Sequence, residues 1–436
     1  MIPPAPTPPA RPLPPLRWWL VSRRNMLAVW PRTAYLQRLI HWPTPGQDVC
    51  VVNRPDLLRR VLVNEAEHYP KSAMLRRMLR PMVGDGIFIS EGALWRERRR
   101  QLAPLFHNRR LPGFIPIVEQ TVAGLLTDWA DLPDGAVVDM HRAMTGVSAA
   151  IASRAFLGRC LDGRADAAFA AFRDYERRRG RLGLPELLGL PDVAPWRGRR
   201  AAARLHRLLA ALPATHGDCP ALTTLLGEDA GGAALRDEAA VLFLAGHETT
   251  ASALCFALYL LARNPDSARR VAAEGTALPA DADLGSLTTL RHTRAVVAET
   301  LRLYPPLPLF SRENPQARRL GETHLAARSL VVVSPWLLHR HHGYWREPDA
   351  FDPTRFDPDG PVTRLPTPPV GYSLLPFGAG PRGCPGSAFA LLEATLVLAR
   401  LLARYRFETV AGHPVEPVAQ LTLMPRGGLP LRLRRR

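Results

Sequence analysis

Residues 377–386 read Phe377-Gly378-Ala379-Gly380-Pro381-Arg382-Gly383-Cys384-Pro385-Gly386. Three glycines ahead of the cysteine let the backbone turn tightly and approach a flat ligand, and Gly386 stands where a helix is expected to begin. In the following stretch, SAFALLEATLVLARLLARYRF, the positions Ala388, Leu391, Leu392, Thr395, Ala399 and Leu402 recur at three and four, which predicts a helix. Cys384 therefore lies just before a helix N-terminus, where amide N–H groups and the helix dipole stabilise a thiolate. A lone cysteine is most often a small buried residue. The complete pattern F-x-x-G-x-R-x-C-x-G, with five fixed positions at fixed spacing, sets this one apart.

Outward from the loop, four segments carry further chemistry. Ala239–Ala262 is apolar and long enough to span a bilayer at ~1.5 Å per residue, but Ala245-Gly246-His247-Glu248-Thr249-Thr250 sits at its middle, where ionisable groups are expensive in lipid. It is read as a helix buried inside the protein. Gly246 and a threonine hydroxyl bonded back to a helix carbonyl are expected to open the helix ladder locally. Glu299-Thr300-Leu301-Arg302 places two opposite charges on one helix face. Trp95-Arg96-Glu97-Arg98-Arg99 puts Trp95 and Arg99 one turn apart, and Arg312 follows in PPLPLFSREN.

The cysteine loop resembles the signature of the cytochrome P450 heme-thiolate monooxygenases. The other segments match the same family in the expected order, so the resemblance covers residues 17–436. It implies a mainly α fold with a small β component, a triangular α-rich prism around a buried heme. Cys384 would be the axial thiolate of the iron of heme b, iron protoporphyrin IX. Phe377 and Gly378 belong to the loop beneath that heme; Trp95, Arg99, Arg382 and Arg312 would face its propionates. Ala245 and Gly246 would leave room for dioxygen, and Glu248 with Thr249 would deliver protons. Glu299, Arg302 and Arg355 correspond to a buried structural network needed for heme incorporation. Arg96, Arg98 and Arg100 are expected to be solvated or to face a partner.

The rest of the chain is organised around these segments. Residues 1–16 hold eight prolines and are read as a polyproline tail unable to start a helix. Residues 17–436 are read as a single heme-binding domain. Strands are expected at 47–53, 329–333 and 419–424, and helices at 55–67, 95–106, through much of 115–180 and at 199–212, with an apolar loop at 182–196. Trp18 to Val21 is apolar but too short to cross a membrane, and no transmembrane anchor or signal peptide is expected.

The net charge is +18, and Lys71 is the only lysine, so the surplus is arginine spread along the chain. That charge invites a nucleic-acid partner, yet no helix-turn-helix, zinc or aromatic-basic motif accompanies it, and none is expected. Five cysteines with no C-x-x-C pair fit a reducing cytoplasm. The cluster His339-Arg340-His341-His342 lacks a carboxylate or cysteine at ligand spacing, so heme iron is the one metal expected.

The resemblance implies insertion of one atom of dioxygen into a hydrophobic small molecule, by hydroxylation or epoxidation. No flavin, dinucleotide or iron–sulfur motif is present, so a separate ferredoxin or flavodoxin with its NAD(P)H reductase is implied, docking on a basic face. The pocket is expected to be lined by Leu75, Met78, Ile87, Phe88, Phe243, Leu244, Leu307, Leu309 and Phe310. A peroxygenase or rearrangement enzyme is the nearest alternative, although such enzymes tend to alter the Glu–Thr pair that is intact here. A non-catalytic heme sensor would need no proton relay.

Overall fold

The computed structural model describes residues 1–42, 48–157, 165–179, 198–210, 232–356, 365, 368 and 370–436. Helices dominate: α1 Pro15–Ser22, α2 Pro55–Arg59, α3 Ala73–Val83, α4 Gly92–Leu102, α5 Leu111–Ala130, α6 Met140–Ala152, α7 Ala165–Arg179, α8 Arg199–Ala210, α9 Gly232–Ala262, α10 Pro265–Ala277, α11 Leu284–Thr288, α12 Arg291–Leu303, α13 Pro335–Leu338 and α14 Ser387–Arg404. The largest sheet joins β1 (Leu39–Trp42), β2 (Val49–Val52), β7 (Leu330–Val333) and β4 (Phe310–Glu313) in that order. Its β2–β7 pair is parallel and its other pairs are antiparallel. Three smaller sheets pair β5 (Arg318–Leu320) with β6 (Thr323–Leu325), β9 (Pro417–Ala419) with β10 (Leu423–Pro425), and β11 (Pro430–Arg435) with both β3 (Val137–Asp139) and β8 (Tyr405–Thr409).

Helix α9 runs 31 residues through the centre. It is the one described helix long and apolar enough to cross a membrane, and 78% of its most apolar stretch is buried inside the protein. It packs on α6, α8, α12 and α14, and α10 and α5 cover the other faces of α14. This packing is intimate where side chains vanish. A Cβ on Gly275 of α10 would lie 2.0 Å from the Ala399 carbonyl of α14. Helix α9 runs as one helix across Gly246, and Thr249 Oγ1 donates back to Ala245 O at 2.7 Å, as expected.

Other elements differ from expectation in instructive ways. The strand expected at 419–424 is instead two short strands, β9 and β10, paired antiparallel across a turn. The helix expected at 55–67 loosens and then tightens, from α2 through a π turn at Arg60–Asn64 to a 3-10 turn at Ala66–His68. The apolar loop expected at 182–196 lies outside the described residues.

The proline-rich segment is laid onto the protein. Pro3 is buried, the Phe351 N–H donates to Met1 O at 2.9 Å, and Tyr304 Oη donates to Pro4 O at 2.8 Å. Helix α1 already starts at Pro15, inside that segment, because proline is accepted at a first helical position whose N–H has no intrahelical partner.

Candidate active site

The cysteine loop reaches α14 through a tight descent. Gly378 and Gly380 have φ of +67° and +69°, and a Cβ on Gly380 would sit 1.9 Å from the Leu62 carbonyl, so only glycine fits there. The Cys384 N–H donates to Phe377 O at 2.9 Å, closing the loop. The side chain of Cys384 opens onto an internal cavity, so it counts as exposed while lying deep in the fold. Burial pushes its thiol up, and the Gly386 N–H and the Arg99 guanidinium oppose that shift.

The cavity lies between this loop and α9. It offers about 280 Å³ to the centres of water-sized molecules, where one water needs roughly 10–15 Å³, so it is sized for a large organic group. Ala245, Gly246, Thr249, Thr250 and Ala253 of α9 form one wall, with Cys384, Phe377 and Gly378 among the residues facing them. Phe106, Phe156 and Phe389 close the side next to α14, with ring centroids 5.3 Å apart for Phe106–Phe156 and 4.9 Å for Phe156–Phe389.

One rim of the cavity is cationic. Trp95, Arg99, Arg312 and Arg382 all line it, together with Lys71. Arg99 donates to Gly383 O at 3.1 Å. Arg382 lies over the Trp95 ring at 5.1 Å and bonds Glu91 at 2.7 Å and Ala66 O at 2.6 Å, so it is partly committed to protein partners. Arg312 is buried, and desolvation lowers it to about 10, with the neighbouring Arg382 adding to the effect. Desolvation likewise brings Lys71 down to about 7. Three arginines and Lys71 crowd this rim, where Glu91 is paired to Arg382, an excess of positive charge that a dianionic ligand would relieve. Heme fits this donor set: a thiol below, a glycine-floored approach, and a cationic rim for two propionates.

The expected proton-relay pair divides in position. Thr249 faces the cavity, whereas Glu248 is buried just behind it with Oε1 3.3 Å from Arg173 Nη1 of α7. His247, between them and Phe243, bonds Phe243 O at 2.7 Å and stacks on the Phe243 ring at 4.6 Å; burial holds it neutral, down to about 4.

Behind the site, Arg302 binds Glu299 through two bonds of 2.6 and 2.8 Å and also donates to His339 O, Pro348 O and Ala350 O. Arg355 joins at 3.4 Å from Glu299. His339 is buried here, taking the Leu375 N–H at 2.8 Å on Nε2. His339, Arg340 and His341 are buried among local partners, so the cluster is structural.

The pocket expectation holds for Leu75, Ile87, Phe88, Leu307 and Phe310, while Met78, Phe243, Leu244 and Leu309 are not on the cavity wall. Val241 and Leu242 take the place assigned to Phe243 and Leu244, because helical phase turns Phe243 inward against His247. Arg98 also departs from its solvent-facing expectation: it is mostly buried, 3.6 Å from Glu238. Lys71 and the phenylalanine cluster went unrecognised in the sequence, although the singularity of Lys71 was a usable signal.

Comparison with known proteins agrees with this geometry. The family model described as Cytochrome P450 matches residues 15–181 and 228–431. Cyclooctatin synthase from Streptomyces melanosporofaciens is 32% identical, over 93% of this chain and 90% of its own length. Cyclooctat-9-en-7-ol 5-monooxygenase from the same organism is 30% identical, over 89% and 88%. A six-coordinated cytochrome P450 from Thermus thermophilus superposes with a TM-score of 0.70 at 28% identity, covering 91% of this chain and 95% of that one. With the cysteine loop, the central helix and the Glu–Arg–Arg network in one fold, the chain belongs to the cytochrome P450 family of heme-thiolate monooxygenases.

Proposed function

We propose that this monooxygenase holds heme b with Cys384 as the thiolate ligand and oxidises an apolar alkene or alkenol skeleton by hydroxylation or epoxidation. When bound, the heme supplies activation of dioxygen and delivery of one oxygen atom. Trp95, Arg99, Arg312 and Arg382 hold its propionates, and Phe377 and Gly378 support it from the cysteine loop. Ala245 and Gly246 keep the opposite face open. Glu248 is the proton source, and Thr249 Oγ1 presents protons and holds water at the cavity wall. The observation that carries the reading is the single cavity shared by Cys384 and Thr249.

The substrate-facing positions Leu75, Ile87, Phe88, Val241, Leu242 and Leu307 are all hydrocarbon, which favours a substrate with little polar surface. The name of one relative, cyclooctat-9-en-7-ol 5-monooxygenase, points to an alkenol, a largely hydrocarbon skeleton with one hydroxyl. Electrons come from a separate ferredoxin or flavodoxin and its NAD(P)H reductase, in the cytoplasm, and residues 17–436 act as one heme-binding domain behind the proline-rich segment 1–16. The test is reconstitution with a ferredoxin–reductase pair and NADPH, offering cyclic alkenes and fatty acids side by side. Oxygenated alkene products that require both electron donor and dioxygen support the reading; turnover with peroxide alone would overturn it in favour of a peroxygenase.

A further inference from the structure

The connection between α3 and α4 carries Ile87 and Phe88 onto the cavity wall. Its backbone lies flush on α9. Gly84 has φ of +53°, and a Cβ there would collide with the Asp237 carboxylate; one on Gly86 would meet Val241 at 2.7 Å. Asp237 accepts the Asp85 N–H at 2.9 Å, and Glu238 accepts the Ile87 N–H at 2.9 Å. From the opposite side, Lys71 Nζ donates to Ile87 O at 2.7 Å and to Ser90 O at 2.9 Å. One residue, Ile87, is thus gripped at its N–H by one buried ionisable group and at its C=O by another.

Packing does not account for these two groups. Glu238 is fully buried and Lys71 nearly so; Glu238 has an ion-pair partner in Arg98, at 3.6 Å, and no ion pair joins it to Lys71. The Glu238 Oε2 has no hydrogen-bond partner among the described residues. Burying such groups is costly unless they hold something, and apolar residues of similar volume would serve packing better. Glu238 also stands on the face of α9 that continues, at helical spacing, through Val241, Leu242, Ala245 and Thr249. It is the next turn of the cavity wall, where the wall passes from helix to loop.

We propose that Lys71 and Glu238 form a latch that fixes the Ile87–Phe88 wall, so that together they act as positioning residues for the substrate and set how large a molecule the site accepts. The groups facing the latch are Arg98, Asp237, Glu91, Arg312 and Arg382. The latch survives a change of protonation at either end, because a neutral carboxylic acid still offers an acceptor oxygen and a neutral amine still offers two donors. Its grip is therefore a matter of hydrogen-bond geometry. The inference uses family membership only to identify the cavity as the binding site.

The test uses the heme-loaded full chain and compares wild type, Glu238→Ala and Glu238→Gln. Hydrogen–deuterium exchange over residues 84–91 reads the latch directly, and optical titration with imidazole and with the bulkier clotrimazole reads the wall. Glu238→Ala should speed exchange in that segment about tenfold, the worth of one buried hydrogen bond, and change clotrimazole affinity by a similar factor while leaving imidazole nearly unchanged. Glu238→Gln retains the acceptor and should restore wild-type behaviour. Unchanged exchange in Glu238→Ala, or a Glu238→Gln variant as loose as the alanine, would overturn the proposal. If Glu238→Ala does not accumulate, Lys71→Met removes the donors on the other side and should loosen the same segment; unchanged exchange there would overturn it equally. The carbon-monoxide spectrum recorded on each variant separates loss of the thiolate centre from loss of the latch.

Discussion

Three consecutive residues of the central helix, His247, Glu248 and Thr249, do three different things because helical phase points each a different way. Thr249 meets the cavity, Glu248 meets Arg173, and His247 fills the packing between Phe243 and Phe172. Glu248→Gln removes the proposed proton source while keeping its shape, and should lower product formation by about 100-fold, in the usual range for a positioned acid, with the carbon-monoxide spectrum retained. Product formation assayed against oxygen consumption checks it. His247 carries a separate prediction. The fold keeps it neutral down to about 4, whereas its ordinary value is 6.5. Its contribution is complete above pH 6.5 and is lost as pH falls toward 4, because only the unfolded chain takes up the proton in that window. Urea unfolding should therefore show a wild-type minus His247→Phe difference that is flat above pH 6.5 and moves about 3 kcal/mol toward the variant by pH 4. The motif made Glu248 and Thr249 legible in the sequence. Their orientations were not, since a motif does not reveal which side chain a neighbouring helix such as α7 will engage.

Among elements, the most readable were those whose period ran longest. Helices α9 and α14 follow from apolar spacing and polar interruptions, and the cysteine loop from its glycines. The β9–β10 hairpin was hidden because a short apolar run with one turn looks like one strand. In the network joining α12 to the segment 346–355, spacing alone showed charges on one face and the family resemblance added Arg355 and burial; the carbonyls contributed by Pro348, Ala350 and His339 were not legible. Because Arg302 is fully buried, Arg302→Ala leaves Glu299 without its main counter-ion and should cost about 3–5 kcal/mol. The measurement is heme content per purified chain together with thermal unfolding, and both should fall. The α10–α14 crossing makes a second element-scale prediction. Gly275→Ala drives a methyl into the Ala399 carbonyl and should destabilise by about 1–3 kcal/mol, while the heme spectrum of the folded fraction stays unchanged.

At the scale of the whole molecule, the +18 charge resolves into separate jobs. Arg99, Arg312 and Arg382 stand at the cavity rim, Arg302 and Arg355 lie in the Glu299 network, and Arg96 and Arg100 remain exposed on α4. If those exposed arginines steer an acidic electron carrier, Arg96→Gln with Arg100→Gln should slow electron transfer at low salt and flatten its salt dependence, as stopped-flow reduction would record. The proline-rich segment is likewise absorbed into the body through Met1, Pro4 and Pro9, contacts that composition alone could not reveal. The proposed reading as a whole rests on Cys384 as the ligand of the heme iron. The most direct measurement is the absorption spectrum of the reduced, carbon-monoxide-bound protein: wild type should show the Soret band at the position of thiolate ligation, and Cys384→Ala should lose it. A purified protein without heme, or a wild-type band at the position of histidine ligation, would contradict the account.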